Sequence, residues 1–159
     1  MANKITPFLW FDHQAEEAAK FYCSIFRKSK LGKVARYPEG SPYPAGSVMT
    51  VEFRLEGQDY VALNGGPHFK FNEAVSLVVN CKDQKEVDYY WDKLLKGGGK
   101  PVQCGWLKDK YGVSWQVVPT PANKLFTSKD KAANQRAMRA MMGMVKLDLP
   151  ALQRAAKGK

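Results

Sequence analysis

Two polar side chains lie in segments that alternate like β-strands, and these two residues are the best candidates for chemistry. Gln116 is predicted on the strand face opposite Trp115 and Val117, and Glu52 lies within the alternating residues 47–55. A buried amide needs hydrogen-bond partners, so Gln116 is a candidate for orienting a ligand. A carboxylate such as Glu52 becomes catalytic when its pKa is raised or when a partner is placed beside it.

Further candidates share an aromatic or amide side chain and are predicted to line an apolar pocket. They are Phe8 and Trp10 as walls, Asn64 as a second orienting amide, Trp106 and Trp115 as stacking surfaces, and Phe69 and Phe71 as a lid. Packing in the ordinary hydrophobic core is the alternative for every aromatic residue in this set. Asn64 has the alternative of forming a turn with the glycine that follows it.

The sequence presents no nucleophile paired with a base. Cys104 has no histidine near it in sequence, and Ser114 lacks the context of a nucleophile elbow. Asp109 and Lys110 belong to a predicted hairpin turn, where we expect both side chains to be solvated. The three cysteines are widely spaced without a CxxC pair, so they are interpreted as small buried hydrophobes without disulfide or zinc.

Bulk composition indicates an ordered globular protein of 159 residues, 45% of them hydrophobic. The net charge is +10, but the basic residues are spread over several loops and no nucleic-acid motif accompanies them. A solvated basic surface is therefore favoured over nucleic-acid binding. No apolar run approaches the roughly 20 residues that cross a bilayer, and the N-terminus does not resemble a secretory signal. We expect a cytoplasmic location.

The predicted elements repeat in the same order. Each half has a strand, an amphipathic helix and a closing hairpin, and Asp12 is predicted to cap the first helix. The aromatic pair Phe21-Tyr22 corresponds to Tyr90-Trp91, and the hairpin residue Tyr60 corresponds to Trp115. The pattern predicts a βαβββ module written twice, although the second copy lacks one clear strand.

Residues 121–159 lie outside this repeat. Ser128 or Asp130 is predicted to cap a helix that runs to about Met142, and Asp148 is predicted to cap a last short helix. The first of these helices carries an apolar stripe: Ala133, Ala137, Met138, Met141 and Met142. The stripe either packs on the protein's own sheet or forms a dimer contact, because methionine surfaces adapt well to interfaces.

Six motifs give the chain a resemblance to a known family. They are residues 5–12 (ITPFLWFD), 14–18 (QAEEA), 46–53 (GSVMTVEF), 62–67 (ALNGGP), 104–109 (CGWLKD) and 114–119 (SWQVVP). The sequence resembles the PhnB-like proteins, labelled "demethylubiquinone methyltransferase domain", of the vicinal oxygen chelate superfamily. The resemblance covers nearly the whole chain, including the methionine-rich tail.

The resemblance implies an α+β fold in which two βαβββ modules form a curved mixed sheet, the glyoxalase/bleomycin-resistance/dioxygenase fold. The implied domain spans residues 1–120, with modules at about 1–66 and 74–119, and a helical extension follows at 121–159.

Metal-using members of the superfamily take ligands, usually two His/Gln and two Glu, from the first and last strands of each module. The corresponding positions here are Ile5 or Pro7, Val61 or Ala62, residues 74–76, and Gln116. Only Gln116 offers a ligand, and His13 and His68 are interpreted as surface residues. A divalent ion needs several such ligands, so the sequence predicts no metal.

The methyltransferase label implies a nucleotide-type cofactor, which usually binds a glycine-rich loop that leads from a strand into a helix. Gly97-Gly98-Gly99 instead leaves a helix, and Gly65-Gly66 is followed by Pro67. We therefore expect no S-adenosylmethionine site and no other cofactor.

Two functions remain open. The first is a metal-independent small-molecule-binding protein with an aromatic-lined pocket, and the second is an enzyme of unknown reaction on a small metabolite that uses Glu52 and Gln116. The predicted partners are a small-molecule ligand and a second copy of the chain, with neither a membrane nor a nucleic acid.

Overall fold

A strand–helix–three-strand module is formed twice in the computed structural model, which describes residues 4–159. The chain divides into two units, one ending at Phe71 and the other beginning at Asn72. Each unit contains one four-stranded mixed sheet, so the predicted duplication and the α+β class are confirmed. Residues 121–159 belong to the second unit.

The first unit follows the pattern that its sequence predicts. Its elements are β1 (Phe8–Phe11), α1 (Ala15–Ile25), β2 (Ser29–Arg36), β3 (Val48–Leu55) and β4 (Gln58–Asn64). The strand order is β1-β4-β3-β2, with β1 parallel to β4 and the other pairs antiparallel. Glu56 and Gly57 form the β3–β4 turn with positive φ angles of 46° and 90°.

Helix α1 covers one face of this sheet because its apolar residues recur with helical spacing. Tyr22 is fully buried, and its ring stacks on that of Phe53 at a centroid distance of 6.1 Å. Strand β3 alternates as predicted, since Val51, Phe53 and Leu55 are buried under the helix. The residues between them, including Glu52, therefore face the opposite, open side of the sheet.

The second unit builds the same topology with shorter strands. Its sheet elements are β5 (Ser76–Cys81), α2 (Gln84–Leu95), β6 (Lys100–Pro101), β7 (Trp106–Lys108) and β8 (Ser114–Pro119), in the order β5-β8-β7-β6. Strand β6 has only two residues, which explains why the sequence pattern did not reveal it. Asp83 caps α2 by accepting a hydrogen bond from the Glu86 amide.

The C-terminal segment of the second unit is helical. After a 3-10 turn (Thr120–Ala122) come α3 (Asn123–Phe126), α4 (Lys131–Met142) and α5 (Leu149–Ala156). Asp130 and Asp148 cap the two longer helices as predicted, because each carboxylate accepts a hydrogen bond from an amide in the first turn.

The predicted apolar stripe of α4 divides between two environments. Ala137 is buried, and Met141 packs against a cluster formed by Ala122, Leu149 and Leu152. Met138 and Met142 are 42% and 66% exposed. Among the described residues, no helix has the length and hydropathy that crossing a membrane requires.

Candidate functional site

The open face of the first sheet, on the side away from α1, brings three predicted site residues together. Cross-strand pairing places Glu52 beside Val61 and Val61 beside Phe8, so these three side chains form one row. The next row contains Thr50, Leu63 and Trp10. Phe8 is 58% exposed. Phe8, Trp10 and Glu52 therefore share one surface, as a common site would require.

A cavity of about 470 Å³ opens on this face. Four strand-borne charged side chains and a small set of apolar and backbone groups line it: Thr6, Lys30, Leu31, Gly32, Glu52, Phe53, Arg54, Asp59, Tyr60 and Val61. Strand β2 has irregular pairing between Leu31 and Val34. At Gly32, an added Cβ would lie 3.0 Å from the Cβ of Glu52, so glycine lets β2 pass close to Glu52 at the cavity wall.

The charges of the cavity differ in how they are satisfied. Arg54 donates to both carboxylate oxygens of Asp59, Nε to Oδ1 at 2.5 Å and Nη2 to Oδ2 at 3.0 Å. This hydrogen-bonded pairing with Asp59 raises the pKa of Arg54. The carboxylate of Glu52 and the amino group of Lys30 have no such partner within residues 4–159. One acidic and one basic side chain are thus left for a ligand.

Sequence reasoning identified Glu52 but missed Lys30, Arg54 and Asp59. The available signal was the hairpin itself, since Arg54 and Asp59 flank its turn and are directly paired across the strands. Opposite charges at such cross-strand positions attract.

Asn64 uses its side-chain amide to hold the backbone of the first unit. Its Oδ1 accepts from the Ala15 amide at 2.8 Å, and its Nδ2 donates to the Val48 carbonyl at 3.0 Å. Asn64 therefore satisfies the first turn of α1, and the prediction that Asp12 caps this helix is wrong. The N-cap position is Gln14, which makes no side-chain capping bond.

The Asn64-Gly65-Gly66 segment is surrounded by aromatic side chains. Tyr37 donates its hydroxyl to the Asn64 carbonyl and Tyr43 to the Gly65 carbonyl, both at 2.5 Å. The indole nitrogen of Trp10 donates to the Gly66 carbonyl at 2.9 Å. Gly65 lies so close to the Trp10 ring that an added Cβ would be 2.3 Å from it. The glycines permit this aromatic packing.

The proposed lid aromatics pack edge-on against residues of the first strand. Phe69 lies 5.0 Å from Trp10 and Phe71 lies 5.0 Å from Phe11, measured between ring centroids. Phe69 remains 65% exposed. Phe11 is buried under α1, so Phe71 contacts the hydrophobic core and Phe69 contacts the pocket candidate Trp10.

The second sheet presents Gln116 on its own open face, away from α2. The Gln116 Nε2 donates to the Ser76 hydroxyl at 2.9 Å. Ser76 therefore provides one of the hydrogen-bond partners that this amide was expected to need. Trp106 is paired with Gln116 across β7 and β8 and shares its face. The buried Ser114 hydroxyl, two residues earlier in β8, has no hydrogen-bond partner among the described residues.

Trp115 lies on the opposite face of β8 and is only 2% exposed. Its indole nitrogen donates to Asp109 Oδ2 at 2.8 Å. Asp109 Oδ1 also accepts from the amides of Tyr111 and Val113. Asp109 is 4% exposed, so the prediction that its side chain is solvated is wrong: its carboxylate organises the β7–β8 turn.

The positions that supply metal ligands in superfamily relatives do not form a fitting donor set here. Val61 and Ala62 have only hydrocarbon side chains, and Gln116, whose Nε2 donates to Ser76, could offer no more than its one amide oxygen. Within the part of the chain that the structure describes, no three His, Cys, Asp or Glu side chains converge as a metal site would require. The chemistry of these residues suits hydrogen bonding and apolar contact.

The glycine-rich segments lie where the sequence predicts them. Gly97, Gly98 and Gly99 connect α2 to β6, and Gly65-Gly66 follows β4 and leads into an extended loop. Across residues 4–159, neither segment joins a strand to a following helix.

Comparison with known proteins places this geometry in a family. A family model described as 3-demethylubiquinone-9 3-methyltransferase matches residues 3–118. A PhnB protein from Bacillus cereus is 37% identical with a TM-score of 0.67, over 74% of this chain and 99% of that one. The match to the family model ends before α3, α4 and α5, so it does not support the predicted extension of the resemblance into the tail.

More distant structures support the fold alone. A protein from Pseudomonas aeruginosa is 20% identical with a TM-score of 0.60, over 73% of this chain and 96% of that one. The fosfomycin resistance protein FosX from Listeria monocytogenes, solved with manganese(II) and sulfate, is 12% identical with a TM-score of 0.52, over 75% and 90% of the two chains. No functionally curated protein matches the chain. The chain belongs to the PhnB-like, 3-demethylubiquinone-9 3-methyltransferase family and has the glyoxalase/bleomycin-resistance fold of the vicinal oxygen chelate superfamily.

Proposed function

We propose that this protein binds a small molecule without a metal ion, on the open face of the first sheet. The observation that carries the proposal is the cavity of about 470 Å³ beside Phe8, with the unpaired carboxylate of Glu52 in its lining. Ligand sites usually combine a volume of roughly 300–1,000 Å³ with apolar walls and a few orienting polar groups. The cavity has the volume of such a site, although its lining is more charged than usual, with four charged side chains beside Leu31, Phe53, Tyr60 and Val61.

The donor chemistry supports a metal-independent site. Glu52 is a single carboxylate, and the neighbouring Asp59 carboxylate is engaged by Arg54. A divalent ion binds strongly only where several ligands replace its water shell. Hydrogen bonding and apolar contact are therefore the proposed means of recognition.

A second candidate function is catalysis on the same ligand. Glu52 supports it, because an unpaired carboxylate in a cavity is suited to accept a proton from a bound substrate. Turnover of the bound ligand, lost in a Glu52→Gln variant that still binds it, would identify an enzyme. Binding without turnover would identify a binding protein.

A thermal-shift screen of chelator-treated protein against metabolites and aromatic antibiotics tests the proposal. We expect a stabilising compound whose effect disappears in Val61→Trp, which fills the cavity, and persists in Gln116→Leu on the second sheet. A compound that stabilises both variants equally would place the site elsewhere. Stoichiometric bound metal in purified protein, or binding that requires added metal, would overturn the metal-independent function.

We also propose a cytoplasmic homodimer. Met138 and Met142 of α4 support the dimer because their side chains stay exposed, whereas Met141 packs against the cluster of Ala122, Leu149 and Leu152. Sedimentation velocity of the wild type and of Met142→Lys tests this assembly. A monomeric wild type at micromolar concentration would contradict it.

A further inference from the structure

The open face of the first sheet changes from charged to apolar along its strands. At the hairpin end, Lys30, Arg54 and Asp59 lie side by side on β2, β3 and β4. The next row contains Glu52, Val61 and the exposed ring of Phe8. A ligand that spans the two rows would therefore meet charged side chains on β2 and β3 and hydrocarbon on β4 and β1.

The charged end offers one unpaired group of each sign. Arg54 and Asp59 neutralise one another through two hydrogen bonds, which leaves Lys30 and Glu52. Lys30 lies directly across from Arg54 in the β2–β3 register, and Glu52 is two residues from Arg54 on the same face. Diagonal neighbours of this kind have their backbones about 7–8 Å apart. That spacing fits a small head group that lies between the two side chains. A ligand with a longer row of charged groups would find no further unpaired charged side chains among the described residues of this lining.

The neutral lining selects against singly charged ligands. An anionic head would find Lys30 but would approach the Glu52 carboxylate, and a cationic head would meet the reverse arrangement. A head carrying both an ammonium and a carboxylate satisfies both side chains at once. Beyond this head, Val61 and Phe8 provide an apolar surface on which a ring or branched chain packs.

We infer that the ligand is an α-amino acid or a close analogue, with its ammonium on Glu52, its carboxylate on Lys30 and an aromatic or branched body over Val61 and Phe8. This inference rests on the proposed binding function, since it names the ligand class for the same cavity. It concerns residues of β1, β2, β3 and β4, all of them in the first unit.

Four probes that share an indole ring and differ in their head group test the inference by isothermal titration calorimetry. The probes are tryptophan, tryptamine, indole-3-propionate and indole. Each exposed ion pair contributes up to about 1 kcal/mol, so we expect tryptophan to bind about fivefold tighter than either singly charged probe. Glu52→Gln should reduce tryptophan to the affinity of indole-3-propionate, and Lys30→Gln should reduce it to that of tryptamine.

Matched controls are Glu39→Gln and Lys70→Gln, exposed residues of the same unit that lie outside the cavity lining. They should leave all four affinities unchanged. Equal affinity for the four probes, with Val61→Trp abolishing binding, would overturn the amino-acid head while leaving the binding site intact. Failure of all four probes to bind at millimolar concentration would overturn the inference, and the metabolite screen would then decide separately whether the cavity binds another class.

Discussion

The carboxylate of Asp109 and the indole nitrogen of Trp115 are joined by a 2.8 Å hydrogen bond between two buried side chains. Asp109 precedes the tight turn of the second hairpin, and Trp115 lies on the strand that follows it. The same carboxylate accepts from the amides of Tyr111 and Val113. The Asp109 side chain thus fixes the turn and also anchors Trp115 on the returning strand.

Asp109→Ala should destabilise the protein strongly. The substitution leaves two backbone amides and one indole N–H without their acceptor, which costs about 3 kcal/mol in the free energy of unfolding. Urea denaturation followed by tryptophan fluorescence measures the loss. Asp92→Ala, at an exposed position of α2, is the control and should stay within about 0.5 kcal/mol of the wild type. A loss of similar size in both variants would show that the buried network contributes nothing special.

Asn64→Leu should lower the free energy of unfolding and leave the affinity of the folded protein for its ligand unchanged. The variant loses the acceptor for the Ala15 amide and the donor to the Val48 carbonyl, which together cost about 1–2 kcal/mol. Asn80→Leu, at an exposed position of β5, is the matched control. If Asn64→Leu unfolded like the wild type but lost affinity for the ligand, a direct ligand contact would replace the capping role.

Gly65→Ala should disturb the packing of Trp10. The new methyl group would lie 2.3 Å from the indole ring, so the ring must move away from the Gly66 carbonyl that it now binds. We expect a loss of about 2 kcal/mol and an altered near-ultraviolet circular dichroism signal. Gly143→Ala, where the nearest neighbour is 3.6 Å from the added Cβ, should change neither property. Wild-type spectra for Gly65→Ala would contradict the close approach.

Cys81 should resist alkylation in the native protein. Burial, followed by the negative charges of Glu86 and Asp83, raises the pKa of its thiol to about 12, and its side chain is fully buried. At pH 8 only about one thiol in 10⁴ would be ionised. Iodoacetamide labelling followed by peptide mass spectrometry should modify half-buried Cys104 first and Cys81 only after denaturation. Equal labelling of both residues in native protein would contradict this order.

The fold was predictable because its signals are local and repeated. Strand β3 alternates over eight residues, and α2 follows Asp83, an N-cap residue of the usual type. Strand β6 was not predicted because a segment of two residues is too short to show an alternating pattern. The cap of α1 escaped because Asn64 reaches it from 49 positions away in sequence, and no local pattern encodes such a contact.

The candidate site was predictable only in part. The alternation of β3 places Glu52 opposite the buried face, and the alternation of β1 puts Phe8 and Trp10 on one face, whereas the register that brings Phe8 beside Val61 and Glu52 is visible only in the structure. Trp115 has the same residue type as Trp106 but lies in the core, because strand parity and not aromatic character decides the face. The neutralisation of Arg54 by Asp59, which leaves Lys30 and Glu52 unpaired, depends on side-chain geometry that a sequence pattern does not contain.

The most direct test of the central claim is the affinity of the best screened ligand for chelator-treated wild type, Val61→Trp and Val75→Trp, measured by isothermal titration calorimetry. Val75 is 75% exposed and lies outside the cavity lining, so it controls for the added indole ring. We expect metal-free binding that Val61→Trp abolishes and Val75→Trp retains. Unchanged binding to Val61→Trp, or binding that appears only after a divalent metal is restored, would contradict it.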